Sequence, residues 1–117
     1  MHVHVYGIKN CDTVKKALAW LDEHNINYEF HDYKQYVPED RVHAFIEFFG
    51  ADRVLNKQGQ TWRKLSEREQ AGISDDSSVF RFLIEKPSAI KRPIVTDDLG
   101  QPMLLGFKPE EWTQRLL

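Results

Sequence analysis

Between His2 and Tyr33 the spacing of apolar positions changes twice. HVHVYG (His2–Gly7) alternates and is rich in β-branched residues, which predicts a strand. After IKNC, the positions Val14, Ala17, Leu18 and Leu21 fall at i, i+3, i+4 and i+7, one face of a helix that stops near His24 and Asn25. INYEFHDY (Ile26–Tyr33) alternates again and predicts a second strand. Strand, helix and strand in this order make a βαβ unit with a right-handed crossover expected.

Pro38 opens a second helix, in which Val42, Phe45, Ile46 and Phe49 repeat the helical spacing and Gly50 provides a stop. Periodicity weakens from Ala51 to Ser78, with a short helix around Ser66–Ala71. SSVFRFLIEK is helical and ends before Pro87, because the residue before a proline avoids helical geometry. PIVTDDLGQPMLLG consists of two apolar runs around an Asp-, Gly- and Pro-bearing turn, a hairpin signal. Pro109 starts a last helix with Trp112 and Leu116 on one face. The order β-α-β, helical region, β-β, α predicts a single α/β domain over residues 1–117. Its expected class is a thioredoxin-like fold with a helical insertion between the second and third strands, at about 37–90.

Composition narrows the function classes. The chain has 117 residues, 41% hydrophobic and 29% charged, enough for one core without a disulfide or metal. A formal net charge of −2 gives no footprint for nucleic acid or an anionic membrane surface. No run approaches the roughly 18 apolar residues of a membrane span, and the first residues show no targeting pattern. With Cys11 the only cysteine, no internal disulfide can form, so a reducing, cytoplasmic setting is expected.

Cys11 follows the first strand and stands at the first turn of the first helix. Helix N–H groups without internal partners favour a thiolate there, lowering the thiol pKa. Lys9 pushes the same way and Asp12 against it; Asn10 and Thr13 are placed to donate hydrogen bonds to the sulfur. A dithiol redox motif carries its second cysteine three residues on, where this chain has Val14. Cys11 is therefore at most a monothiol centre, whose resolving thiol must come from outside, glutathione being the expected source.

YGIKNCDTVKKALAWL, LIEKPSAIKRPIV and LLGFKPEEW together resemble the glutaredoxin-like arsenate reductase (ArsC) family, more closely its YffB branch, over about Val3–Leu116. The resemblance implies a thioredoxin-like domain with a helical insertion and a glutathione-dependent thiol reductase. It implies Cys11 as nucleophile, with Arg92 beside it preceding a cis proline, Pro93. A guanidinium there would hold a thiolate or an anionic substrate group through a planar fork of donors. An extended peptide such as glutathione would lie along the backbone at Pro93 and Ile94, with Lys9, Asn10 and Thr13 shaping the loop and Lys108 closing the anionic site. Glutathione is then a co-substrate, no cofactor is bound, and a glutaredoxin is a possible partner. Arsenate reductases of this type bind the oxyanion with three arginines. This chain has Asn56 and Lys108 at the second and third places, with Lys57 and Arg63 near the former, so reduction of a small disulfide fits better than reduction of arsenate. The wider family also holds Spx regulators, which bind RNA polymerase. That alternative implies a two-cysteine switch, which this chain lacks.

The remaining residues predict structural roles. His2 and His4 share a strand face, but no third metal ligand stands at a useful spacing, and His24, His31 and His43 are scattered. Trp20, Trp62 and Trp112 suit a core, and the pairs Asp75-Asp76 and Asp97-Asp98 suit caps and turns.

Overall fold

The computed structural model describes residues Met1 to Leu117. In chain order the elements are β1 (His2–Gly7), α1 (Asp12–Glu23), β2 (Asn27–Asp32), α2 (Glu39–Phe49), α3 (Ala51–Val54) and α4 (Gln60–Arg63). There follow α5 (Glu67–Ala71), α6 (Asp76–Glu85), a 3-10 turn (Pro87–Ala89), β3 (Ile94–Thr96), β4 (Pro102–Leu105) and α7 (Pro109–Leu116). They form two compact units: Met1–Tyr36 with Arg92–Leu117, and Val37–Lys91.

The first unit is built on a four-stranded sheet of order β2-β1-β3-β4. β1 pairs parallel with β2 and antiparallel with β3, and β3 pairs antiparallel with β4. Alternation along β1 sends Val3 and Val5 into a core shared with Val95, Leu104, Ala17, Trp20, Leu21, Trp112 and Leu116. The indole rings of Trp20 and Trp112 meet edge-on at 5.6 Å, and the Trp112 indole N–H donates to the Gly106 carbonyl at 3.0 Å, so that its one polar atom is satisfied inside the core. α1 ends because Asn25 takes a left-handed conformation at φ 56, a role open to Asn at little cost. The Ile26 N–H then donates to Leu21 and the Asn25 N–H to Asp22, which satisfies two of the last helical carbonyls and aims the chain into β2. The β3–β4 turn is organised by Asp97, whose carboxylate accepts from the Leu99 and Gln101 N–H groups at 2.9 Å each.

The second unit carries its own core. α2 contributes Val42, Phe45 and Ile46, α6 contributes Val79, Phe82 and Leu83, and Val54, Leu55, Ala89 and Ile90 are buried as well. The weakly periodic stretch resolves into three helices of four or five residues. α5 and α6 each begin with a capping box, Ser66 with Glu69 and Asp75 with Ser78. An isolated bridge between Leu55 and Ile90 ties the chain just after α3 to the last residues of this unit. No helix is long and apolar enough to cross a membrane. β-α-β followed by β-β-α, with helices inserted between β2 and β3, is a thioredoxin-like arrangement.

Candidate functional site

β1 delivers the chain to the site. At its end Gly7 is required by close approach: a Cβ there would stand 2.9 Å from the Val14 Cγ2, and Val14 is fully buried. That contact seats the first turn of α1 against the end of β1. Ile8 is buried, Lys9 and Asn10 are exposed, and Cys11 follows as the N-cap residue of α1, with extended φ/ψ of −112 and 124. Its carbonyl accepts from the Lys15 N–H at 2.9 Å, the first bond of the helix.

The Cys11 side chain makes no full capping hydrogen bond of the Ser or Asp kind. The donors around the sulfur nevertheless decide its charge. Burial pushes the thiol up. Against it act the Val14 N–H, a hydrogen bond and the positive charge of Arg92, and the Thr13 N–H, and together they hold the thiol below its ordinary value. Cys11 is partly exposed, so the sulfur combines thiolate character with access.

Arg92 is half-buried, and the Arg92–Pro93 peptide bond is cis. Pro93 is buried; it has no N–H, and its carbonyl already accepts from the Gly106 N–H at 2.7 Å. Ile94 is fully buried on β3, paired with Tyr6 on one side and Leu105 on the other, so its side chain lines the core and offers no surface to a ligand. Thr13 reaches the sulfur through its backbone N–H. Lys9 and Asn10 are exposed on the loop, and Lys108 is exposed as the N-cap of α7, its carbonyl accepting from the Trp112 N–H at 3.0 Å. Asn56, Lys57 and Arg63 belong to the second unit. There Asn56 accepts from the Gln58 N–H, and Lys57 lies 3.7 Å from the Asp52 carboxylate and over the Trp62 ring.

Sequence reading missed Tyr33. It is fully packed away and its hydroxyl has no hydrogen-bond partner. Burial and the nearby Tyr6 push its ionisation far up, while the charge of Arg92 pulls the other way. An apolar-looking tyrosine at the end of a strand carries no sequence signal that sets it apart from any core aromatic.

No third ligand was expected beside His2 and His4, yet strand pairing supplies several. Parallel register sets His4 against Glu29 and Tyr6 against His31, and the β3–β4 turn brings Asp98 to the same face. Sequence spacing within one strand cannot show neighbours that arrive from another.

The site therefore consists of one accessible, charge-stabilised sulfur at a helix start, with a guanidinium beside it. Comparison with known proteins bears on the family and the fold. An uncharacterized protein of Haemophilus influenzae is 43% identical over 111 residues, covering 94% of this chain and 95% of its own length. A solved YffB protein superposes with a TM-score of 0.90 at 40% identity, covering 98% of this chain and 99% of that one. An arsenate reductase (ArsC) related protein from Brucella melitensis gives 0.78 at 40% identity, covering 98% and 94%. More distantly, the global transcriptional regulator Spx of Staphylococcus epidermidis is 25% identical over 93% of this chain and 82% of its own length. The ArsC family model matches residues 6–115, a span that runs from before the cysteine loop into the last helix, and the chain belongs to the ArsC family.

Proposed function

We propose that the protein is a glutathione-dependent monothiol reductase acting on mixed disulfides or similar small disulfides. The observation that carries the reading is the environment of Cys11: a partly exposed thiol at the N-cap of α1, held toward thiolate by Val14, Arg92 and Thr13. In the first step the Cys11 thiolate attacks the glutathione sulfur of a mixed disulfide. A protein–glutathione disulfide forms, and the substrate sulfur leaves as a thiolate that takes a proton from solvent. In the second, the thiolate of a free glutathione attacks the bound glutathione sulfur. Oxidised glutathione leaves and the Cys11 thiolate returns. The substrate sulfur is reduced to a thiol, and one free glutathione thiol joins the glutathionyl group taken from the mixed disulfide to make one oxidised glutathione. Val14 at the resolving position, with no other cysteine in the chain, leaves the second step to an external thiol.

Arg92 has two roles in this scheme: it stabilises Cys11 both as attacking and as leaving thiolate, and it faces the anionic groups of glutathione. Lys9, Asn10 and Thr13 border the approach. Pairing of an extended peptide would fall on the backbone before Pro93, because Pro93 lacks a donor. A lysine at 108 gives a point charge where a fork of donors would grip an oxyanion, which favours a disulfide over arsenate as substrate.

The test is to incubate the reduced protein with oxidised glutathione and weigh it. One glutathione per chain, absent in Cys11→Ser and released by fresh glutathione, is expected. A protein that stays unmodified while its thiol reacts normally with iodoacetamide would defeat the proposal. Arsenate-dependent oxidation of glutathione in the presence of a glutaredoxin would instead favour arsenate reduction, and capture of RNA polymerase would favour the regulator.

A further inference from the structure

A second cluster of chemically capable side chains lies on the sheet face of the first unit that carries His2, His4 and Tyr6. The His4 Nδ1 stands 2.9 Å from the His31 Nε2. The Glu29 Oε2 stands 3.2 Å from the same His31 nitrogen and 3.6 Å from the His4 Nδ1. Three donor atoms therefore form a closed triangle. For a tetrahedral divalent cation with bonds of about 2.0–2.1 Å, ligand atoms sit about 3.3–3.4 Å apart. The observed edges bracket that spacing.

The protons in the cluster point the same way. The short contact between two imidazole nitrogens requires one N–H and one lone pair. With the proton on His31 Nε2, it is shared between the His4 Nδ1 and the Glu29 carboxylate, and His4 carries its own proton on Nε2. That Nε2 faces the Asp98 Oδ1 at 3.8 Å. In that tautomer the His31 Nε2–H is met by two lone-pair acceptors, the His4 Nδ1 and a Glu29 oxygen, and the Asp98 carboxylate lies on the side of the far nitrogen of His4. At 3.8 Å that carboxylate is beyond hydrogen-bond reach and acts on His4 through its charge alone. His31 is fixed from one side by Tyr6, whose ring stacks on it at 4.6 Å and 16°. The ligands are presented by β1 and β2, rigid strands in parallel register, and all remain accessible: the His4 side chain is 21% exposed, His31 32% and Glu29 59%.

We propose that His4 Nδ1, His31 Nε2 and Glu29 form a surface site for a divalent transition cation such as Zn2+. Two imidazoles and one carboxylate suit zinc, cobalt, nickel or copper and do not suit magnesium or calcium, which take oxygen ligands. The cation takes the place of the shared proton, and His31 binds it through Nε2 as the other neutral tautomer, with its proton on Nδ1. The alternative grouping, His2, His4 and Asp98, is looser, with both imidazoles 3.8 Å from the carboxylate, and its members other than His4 are the more exposed.

The test uses the full, untagged chain with its thiol reduced, titrated with Co2+. One equivalent is expected to give a visible d–d band without a sulfur charge-transfer band, and Cys11→Ser is expected to give the same spectrum. His4→Ala and His31→Ala abolish the band, and His2→Ala leaves it unchanged. Binding that survives both His4→Ala and His31→Ala, that is lost in Cys11→Ser, or that depends on His2 overturns the proposal, as does no binding by the wild type. Because strand variants can perturb folding, the wild type also serves alone. On addition of Zn2+ the imidazole nitrogen resonances of His4 and His31 should shift while those of His24 and His43 stay in place. Equal shifts at all four would mean non-specific binding and would also overturn the site.

Discussion

At the scale of single residues, the chemistry depends on the balance around one sulfur. Burial alone would keep Cys11 a thiol; the Val14 N–H, Arg92 and the Thr13 N–H reverse it. A thiol lowered in this way is reactive at a pH where an ordinary cysteine is still protonated. Arg92→Ala should move the midpoint of the pH profile of iodoacetamide alkylation upward and cut the rate at neutral pH about tenfold, the worth of one charge-assisted hydrogen bond. Arg92→Lys should fall between, since it keeps the charge and loses the fork. A midpoint that does not move in Arg92→Ala would remove Arg92 from the site. Cys11 itself was legible from its place between strand and helix, whereas Arg92 was legible only through its family resemblance and its proline, because an arginine in isolation reads as surface. The source of the hydrogen bonds was not legible. Thr13 acts through its backbone, and backbone donors belong to a conformation and not to a residue type.

At the scale of elements, the site depends on how α1 is seated on β1. Gly7 and Val14 touch across that junction, so Gly7→Ala should overpack a fully buried contact and lower stability by about 1–3 kcal/mol. Adding Val14→Ala should recover part of the loss, giving a double variant less destabilised than the sum of the two singles in urea unfolding. Strict additivity would show that the two side chains do not meet. The same turn supplies a test of monothiol chemistry. Val14→Cys places a thiol one helical turn from Cys11, where it can attack the Cys11 sulfur of the glutathione adduct and expel glutathione as a thiol, leaving an intramolecular disulfide. The variant should shed its glutathione without added thiol, and a stable adduct would mean that the two sulfurs cannot meet. The long helices could be read from sequence because their apolar stripes run over about two turns, as Val42, Phe45, Ile46 and Phe49 do. α3 and α4 could not, because four residues hold little more than one turn and leave no period to detect. α5 is as short, yet its capping box marks it: Ser66 followed three residues later by Glu69.

At the scale of the whole molecule, the sheet order joins residues that the sequence keeps far apart, and this explains both what could be read and what could not. The strand-helix-strand rhythm was legible because it is local. The meeting of His4 with Glu29 and His31, and of Tyr33 with Tyr6 and Arg92, follows from register and packing between segments. Tyr33 has a consequence for the stability of the entire chain. Its hydroxyl is buried without a partner, so its ionised form is strongly disfavoured in the folded state, while in the unfolded chain it titrates near about pH 10. A group whose folded value is raised contributes its full stabilisation below the unfolded value and loses it as pH rises beyond, because only the unfolded chain then releases the proton. The native state should therefore weaken steeply above about pH 10. Tyr33→Phe removes that proton equilibrium. Since a buried hydroxyl without a partner carries a desolvation cost, the variant should be as stable as the wild type at neutral pH or up to about 1–3 kcal/mol more stable, a gap that alkaline pH widens. At about pH 11 it should be the more stable of the two in urea unfolding. Some alkaline loss will persist, because Tyr28, partly buried beside Asp22, is also raised. If the two proteins keep the same stability difference from neutral to alkaline pH, the hydroxyl of Tyr33 is hydrated in solution, and the apolar packing around it is looser than the structure shows.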